Sequence, residues 1–257
     1  MTEKPQKMNL SAVIIAKDEQ ENIGRCILSV KFCDEIVVID DHSTDKTAQI
    51  AKKLGAQVIT RDLMASFSDQ RNFGLIKARG KWVIFVDADE VISDALRKEI
   101  LTATNKKINY VSGYLFKRID HVWNQKIKHG EVGDARFLRL AQRRAGKWHR
   151  RVHEHWHVIG QVREFKNPIL HYPHQTLREF LTEVNDRSTL HALANKDEGK
   201  YANLAIIVFA PFFKFMYGYI LRFGFLDGKA GFVIAMVMSL HSFLSWSKLW
   251  FIQQGTK

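Results

Sequence analysis

The first hundred residues alternate short apolar runs with segments of helical spacing, and that rhythm restricts the fold more than any other feature. "LSAVIIA" (10–16), "EIVVID" (35–40), "AQVIT" (56–60) and "KWVIFVD" (81–87) are apolar runs of strand length. "ENIGRCILSV" (21–30), "TDKTAQIAKKLG" (44–55), "SFSDQRNFGLIKARG" (66–80) and "SDALRKEILTAT" (93–104) space their apolar residues as helices do. Thr44 and Ser93 are placed to cap two of these helices, and Gly55 and Gly80 to end two. Strands apolar on both faces, with helices between them, imply a parallel sheet covered on each side. Such sheets bind ligands outside the carboxyl ends of their strands.

Three of those strand ends carry charge: "KDE" after Ala16, "DDHSTD" after Ile39 and "DADE" after Val86. Neighbouring carboxylates without compensation repel one another and resist ionisation, so something positive is expected beside Asp87, Asp89 and Glu90. Asp87 and Asp89, one residue apart at a strand end, can both reach one cation if the backbone turns there. Hard divalent cations take oxygen ligands and share them with substrate phosphates. A cation held this way would neutralise a diphosphate leaving group. A D-x-D alone is common by chance, and a helix cap with a surface salt bridge would explain it. A D-x-D after a buried strand, with two more acidic strand ends upstream, favours the metal.

Beyond residue 104 the pattern changes. "GYLFKRID", "ARFLRLAQRR" and "KWHRRVHEHWHVIG" read as twisted, more antiparallel strands, and "TLREFLTEVNDRSTLHALANKDEG" (176–199) as a polar, amphipathic helix. The end of the chain is greasy. "LAIIVFAPFFKFMYGYIL" (204–221) and "AGFVIAMVMSLHSFLSW" (230–246) flank "RFGFLDGK". Each is near the lower length limit for a membrane span, and Lys214 and His241 interrupt them. Helices packed on the catalytic part would be the plain reading. The run of Phe209, Phe212, Phe213 and Phe215 favours membrane contact, interfacial rather than spanning. A net charge of +12 suggests an anionic partner, and Lys200, Lys214, Arg222, Lys229 and Lys248 could meet anionic lipid. Self-association through the same tail is an alternative. Cys26 and Cys33 form no C-x-x-C and read as buried thiols of a reducing compartment. "MTEKPQKMNL" has no apolar signal region, so a cytoplasmic location is expected.

"AVIIAKDEQENIGRCILSV", "EIVVIDDHSTDKTAQIAKKLGAQVI", "DQRNFGLIKARGKWVIFVDADEVI" and "RRVHEHW" together resemble the family 2 glycosyltransferases of GT-A fold. Within that family the chain looks most like the bacterial lipopolysaccharide-core β-1,4-glucosyltransferase branch. The resemblance covers about residues 8–175 well and the tail loosely. It implies an α/β, nucleotide-diphospho-sugar transferase fold with a mostly parallel central sheet, plus a hydrophobic helical C-terminal extension. Residues 1–200 would form the catalytic domain, with nucleotide-sugar binding in about 8–104 and the acceptor part in about 105–200. Residues 201–257 would form a membrane-associating tail at the cytoplasmic face of the inner membrane.

The resemblance also implies roles. Ala16 and Glu19 would line the nucleotide pocket, Asp40 or Asp41 would contact the base or ribose, and Arg71 would lie near the phosphates. Asp87 and Asp89 would hold Mg2+ or Mn2+ against the diphosphate, with His171 as a further metal ligand. The usual Asn before the Glu of the first motif is replaced by Asp18, which leaves the contacts there open. The donor would be a nucleotide-diphospho-sugar, UDP-glucose being usual for the branch, and the acceptor a lipid-linked glycan such as the lipopolysaccharide inner core.

The resemblance implies an inverting enzyme, which needs one general base to deprotonate the acceptor hydroxyl; in the resembling branch a Glu in a "VHE" context fits this role, which points to Glu154. Pairing with Arg150 or Arg151 is its plain alternative, as an ordinary helix-surface charge is for Arg71. If residues 152–158 form one strand, His153, His155 and His157 share a face; that would suggest a zinc hydrolase. A nucleotidyltransferase would also use an α/β sheet and carboxylate-bound metal, but "AVIIAKDEQENIG" lacks its glycine-rich loop. A nucleic-acid-binding module has only the charge in its favour: no zinc finger or RNP-type motif is present.

Overall fold

The structure is a computed structural model, and it describes residues 8–64, 66–106, 110–131, 133, 135–173 and 176–255. The first seven residues, read above for a signal region, lie outside the described residues. The chain forms two compact units. The first comprises residues up to Lys117, Arg136–His149 and Glu154–His171. The second comprises Arg118–Ala135, Arg150–His153 and the chain from Tyr172 on.

The first half of the chain runs β1 (Leu10–Ala16), α1 (Ile23–Ser29), β2 (Glu35–Asp40), α2 (Thr47–Lys53), β3 (Gln57–Thr60), α3 (Phe67–Lys77), β4 (Trp82–Asp87), β5 (Glu90–Val91) and α4 (Asp94–Thr104). β1 pairs in parallel with β2 and β4, and β2 with β3. Ala16 lies opposite Asp40 and Ile15 opposite Asp87, so the register brings the three charged strand ends to one edge of the sheet.

Alternate residues of each strand feed two cores. Ala12, Ile14, Val38 and Ile84 pack with Ile23 and Ile27 of α1 and Leu96 and Ile100 of α4. Val13, Val37, Ile39 and Phe85 pack with Leu75 of α3, Trp148 and Trp156 on the other face. Burying each large apolar side chain stabilises by about 1.5–3 kcal/mol. α3 lies close on β1 because Gly74 has no side chain: a Cβ there would stand 2.5 Å from Cγ1 of Val13.

The helix expected from Thr44 begins at Thr47 instead. Thr44 gives its amide and hydroxyl hydrogens to Asp18, while Asp45 takes the Thr47 amide. Ser66 and Ser93 cap α3 and α4 through the amides of Asp69 and Leu96. α3 stops at Lys77, because Ala78 turns extended (ψ 140°) before Gly80 is reached.

The remaining strands are β6 (Val111–Val122), β7 (Gln125–Ile127), β8 (Arg136–Gln142), β9 (Gly146–His149), β10 (His155–Val158), β11 (Gln161–Glu164) and β12 (Ile169–His171). The main sheet runs β3-β2-β1-β4-β8-β6-β12-β5, with β8 antiparallel to β4 and β6, and β12 to β5. β9 and β10 form a separate hairpin in which Trp148 faces Trp156. The helices α5 (Leu177–Asp197), α6 (Leu204–Met216) and α7 (Gly228–Gln254) complete the chain. Thr176 and Glu179 close a reciprocal capping box on α5. A π turn (Tyr217–Leu221) and a short 3-10 turn (Gly224–Asp227) join α6 to α7.

Candidate active site

The charge question raised by "VDADE" is answered first by arginine. Asp87 ends β4 with its amide hydrogen bonded to the fully buried Glu90, at 2.9 Å. Its Oδ1 accepts from Nη2 of Arg71 at 2.7 Å and from Nη1 of Arg139 at 3.3 Å; its Oδ2 accepts from Nη2 of Arg139 at 2.6 Å. Arg139 also reaches Glu90 at 3.4 Å. Burial alone would raise the pKa of Asp87, but the charges of Arg139 and Arg71 overcome it and hold the carboxyl well below the usual carboxylate range.

Arg71 is buried, at 3% exposure, not a helix-surface charge. Ser66 starts α3 one turn earlier and so aims Arg71 at the sheet edge. Its guanidinium lies 4.7 Å from the centre of the Trp148 ring. Its Nε donates to Oε1 of Glu154 at 2.8 Å. Arg71 thus ties the candidate base to the strand-end aspartate, and its buried Nη1 has no hydrogen-bond partner among the described residues. The plain alternative for Glu154 falls away, since Arg150 pairs with Glu198 and Arg151 with Asp197.

Asp89 points elsewhere. Its Oδ2 lies 3.0 Å from Nε2 of His171 on β12, brought near by the β5–β12 pairing of Glu90 with His171. A carboxylate oxygen and an imidazole nitrogen at this separation suit two ligand positions of Mn2+ or Mg2+. Both oxygens of Asp87 are already taken by guanidinium groups, so Asp89 and His171 are the better-placed donors. Among the described residues no three His, Cys, Asp or Glu side chains converge as a complete metal cage. Such a pair leaves further ligand positions to diphosphate oxygens and water.

At the end of β2, Asp40 accepts from the Ser43 amide through Oδ2, while its buried Oδ1 has no hydrogen-bond partner among the described residues. That oxygen suits an N–H or O–H group of a ligand. Asp41 accepts from Nζ of Lys17 and from the Leu63 amide instead of capping α2. Ala16 contributes a small side chain and a carbonyl bonded to the Asp41 amide. Glu19 binds the side chain of Asn22 and, through its backbone, the Thr47 hydroxyl.

The three-histidine face does not form. His153 has φ 52° and precedes β10, so the strand alternation starts only at His155. His155 and His157 are exposed beside His149, whereas His153 stacks edge-on against His191 of α5. Cys26 is buried and donates to the Asp87 carbonyl, and Cys33 is half-buried. Arg139 and Trp148 escaped the sequence reading. The available signal for Arg139 was one arginine inside the apolar strand "FLRLA".

A mostly parallel sheet with acidic strand ends on one edge, extended by antiparallel strands, is the GT-A architecture of nucleotide-sugar transferases. Residues 11–193 match the glycosyl transferase family 2, and the chain belongs to that family. It is 29% identical to the lipopolysaccharide core biosynthesis glycosyltransferase LpsC of Rhizobium meliloti (strain 1021), over 95% of this chain and 93% of that protein. It is 27% identical to an uncharacterized glycosyltransferase of Rickettsia felis, over 93% of this chain and 89% of that one. Among solved structures, it is similar to glucosyl-3-phosphoglycerate synthase from Mycobacterium tuberculosis, in complex with Mn2+, UDP and glucosyl-3-phosphoglycerate. That match has 24% identity, covers 44% of each chain and has a TM-score of 0.36. It is also similar to S. aureus TarS 1-349, at 14% identity over 97% of this chain and 91% of that one, with a TM-score of 0.47.

Proposed function

We propose that this glycosyltransferase is inverting and metal-dependent, and moves glucose from UDP-glucose to a lipid-linked acceptor such as the lipopolysaccharide inner core. The observation that carries the reading is the chain of charges Glu154–Arg71–Asp87–Arg139, its arginines buried and its carboxylates half-buried, at the carboxyl edge of the sheet. It joins a candidate base to the D-x-D strand end. The donor and acceptor follow from the resemblance to the core glucosyltransferase branch, and the similarity to LpsC supports the acceptor class.

Asp40 would take a polar hydrogen of the nucleoside through its unpartnered oxygen, with Asp41, Ala16 and Glu19 shaping that end of the pocket. Arg71 would turn its unpartnered Nη1 toward the donor's oxygens. Asp89 and His171 would hold Mg2+ or Mn2+, which when bound supplies Lewis-acid neutralisation of the diphosphate leaving group. Asp87 would serve by fixing Arg71 and Arg139. Glu154 would take the proton from the acceptor hydroxyl. The hydroxyl oxygen then bonds to the anomeric carbon as the bond to the diphosphate breaks. The nucleoside diphosphate leaves with that electron pair, and one displacement inverts the centre.

Residues 1–200 would carry this chemistry, and 201–257 would hold the enzyme at the cytoplasmic face of a membrane. The test is UDP release and product configuration with UDP-glucose, a divalent cation and a purified core acceptor. A β-linked product from the α-configured donor supports the reading. A retained configuration, or turnover unaffected by chelation, contradicts it.

A further inference from the structure

The greasy helices meet two different surroundings. In the segment Leu204–Leu221 only 6% of residues are buried, and α6 buries no residue at all. Leu204, Val208, Phe209, Phe212, Phe213 and Leu221 are each more than half exposed. A packed core helix would not leave such a face open. Both apolar segments are long enough to cross a membrane, so the question is how they lie in one.

α7 answers it, because polar parts of its own unit accompany one side of it along its length. At its start, Asp227 accepts from the amides of Lys128 and His129 at 3.1 and 2.7 Å, and its carbonyl accepts from Gln125. The preceding turn is fastened too: the Gly130 amide donates to the Arg222 carbonyl at 2.9 Å. In the first turns of the helix Ala230 and Ile234 pack on Val122 and Ile127, and nearer its middle Val237 packs on Phe180 and Val184 of α5. Near the end, Lys248 Nζ binds Ser188 and Thr189 of α5 at 2.8 Å each, and Leu249 packs on Ala192.

A 27-residue helix is about 40 Å long, against about 30 Å of hydrocarbon. Were α7 to span, α5 would have to enter the bilayer beside it, with Arg178, Glu179, Asp186 and Arg187 exposed. Each such charge costs about 2.5–3.5 kcal/mol or more at the bilayer centre. The α6–α7 turn would also have to cross, although it is bonded to residues 125–130.

We infer that α6 and α7 do not cross the membrane. They lie in its plane as a monotopic hairpin, with the open face of α6 and the outer face of α7 in the acyl region of an anionic bilayer. This rests on the membrane reading of the tail given above and deepens it. Charge commits the surface to lipid over a second copy of the chain. Residues 204–247 carry Lys214, which pairs with Glu131 at 2.8 Å, and Arg222 and Lys229, while their sole acid, Asp227, is buried in its own hydrogen bonds. That leaves Arg222 and Lys229 as positive charges at the turn end of an apolar face, which suits anionic headgroups and would repel its own copy.

The test adds the full chain to preformed vesicles of phosphatidylethanolamine and phosphatidylglycerol, and to vesicles of phosphatidylcholine alone. Lys229→Cys, in a Cys33→Ser background, is then treated with a membrane-impermeant maleimide. The expected result is flotation with the anionic vesicles, labelling from outside without detergent, and at least tenfold weaker flotation of Phe212→Glu/Phe213→Glu. That double variant should still release UDP from UDP-glucose with a water-soluble acceptor, which shows that it folds. Labelling only after detergent opens the vesicles means a spanning hairpin; it overturns the inference and leaves the membrane reading standing. No flotation with either vesicle overturns both, and a dimer abolished by the double variant assigns the face to a second copy. The transferase assay decides the catalytic reading separately.

Discussion

At the scale of single residues, the site is an exercise in balancing buried charge. Asp87 stays ionised because Arg139 and Arg71 lie against it, and Arg139 also reaches the buried Glu90. Removing one partner of such a group leaves a buried, unpaired charge, at a cost of about 3–5 kcal/mol. Arg139→Met should therefore lose stability of that order in urea unfolding, beyond any loss of activity. Glu154→Gln keeps the shape but cannot take a proton; kcat should fall by about 10²–10⁴, with donor affinity within a few-fold of the parent by calorimetry. Loss of donor binding instead would make Glu154 a structural partner of Arg71. The sequence announced Asp87, Asp89 and Glu154 by their type and place, but not Arg139. A lone arginine in an apolar strand acquires meaning only when β8 pairs with β4 and sets it beside Asp87.

At the scale of elements, local signals were legible wherever a strand, cap or apolar period acts by itself. β1, β2 and β4, and the Ser93 cap, follow the local sequence. The start of α2 and the place of His153 do not, because both depend on partners far along the chain: Asp18 for Thr44, and His191 for His153. Gly74 shows the same dependence in packing. Gly74→Ala would press a methyl group into Val13 and lift α3 from β1. The expected cost is about 1–3 kcal/mol, with weaker donor binding because Arg71 lies one turn away on the same helix. α5 carries a pH dependence. Burial, then the nearby rings of His153 and His241 and the charges of Arg150 and Lys200, pull the imidazole of His191 down to about 3. A free imidazole titrates near ~6.5, so on acidification the unfolded chain takes up this proton first. The contribution of neutral His191 is complete above about pH 6.5. It is lost as pH falls toward 3. His191→Gln should flatten the fall of Tm across that window; an unchanged profile would assign the acid sensitivity to other groups.

At the scale of the whole molecule, the fold class was readable because strand and helix alternation leaves few arrangements, and the binding edge of a parallel sheet follows from its direction. What the alternation could not supply was the division of labour among the acids. Asp87 answers to arginine and Asp89 to His171, while Oδ1 of Asp40 has no hydrogen-bond partner among the described residues. The central claim is that Asp89 and His171 hold a cation that in turn holds a diphosphate. Calorimetric titration of UDP-glucose and a panel of other nucleotide sugars, with and without Mn2+, tests it on the parent chain and on Asp89→Ala. The account predicts that one donor binds the parent tightly only with Mn2+, and that Asp89→Ala loses most of the metal-dependent part while its Tm holds. Equal donor binding by parent and variant, or binding indifferent to the cation, would contradict it.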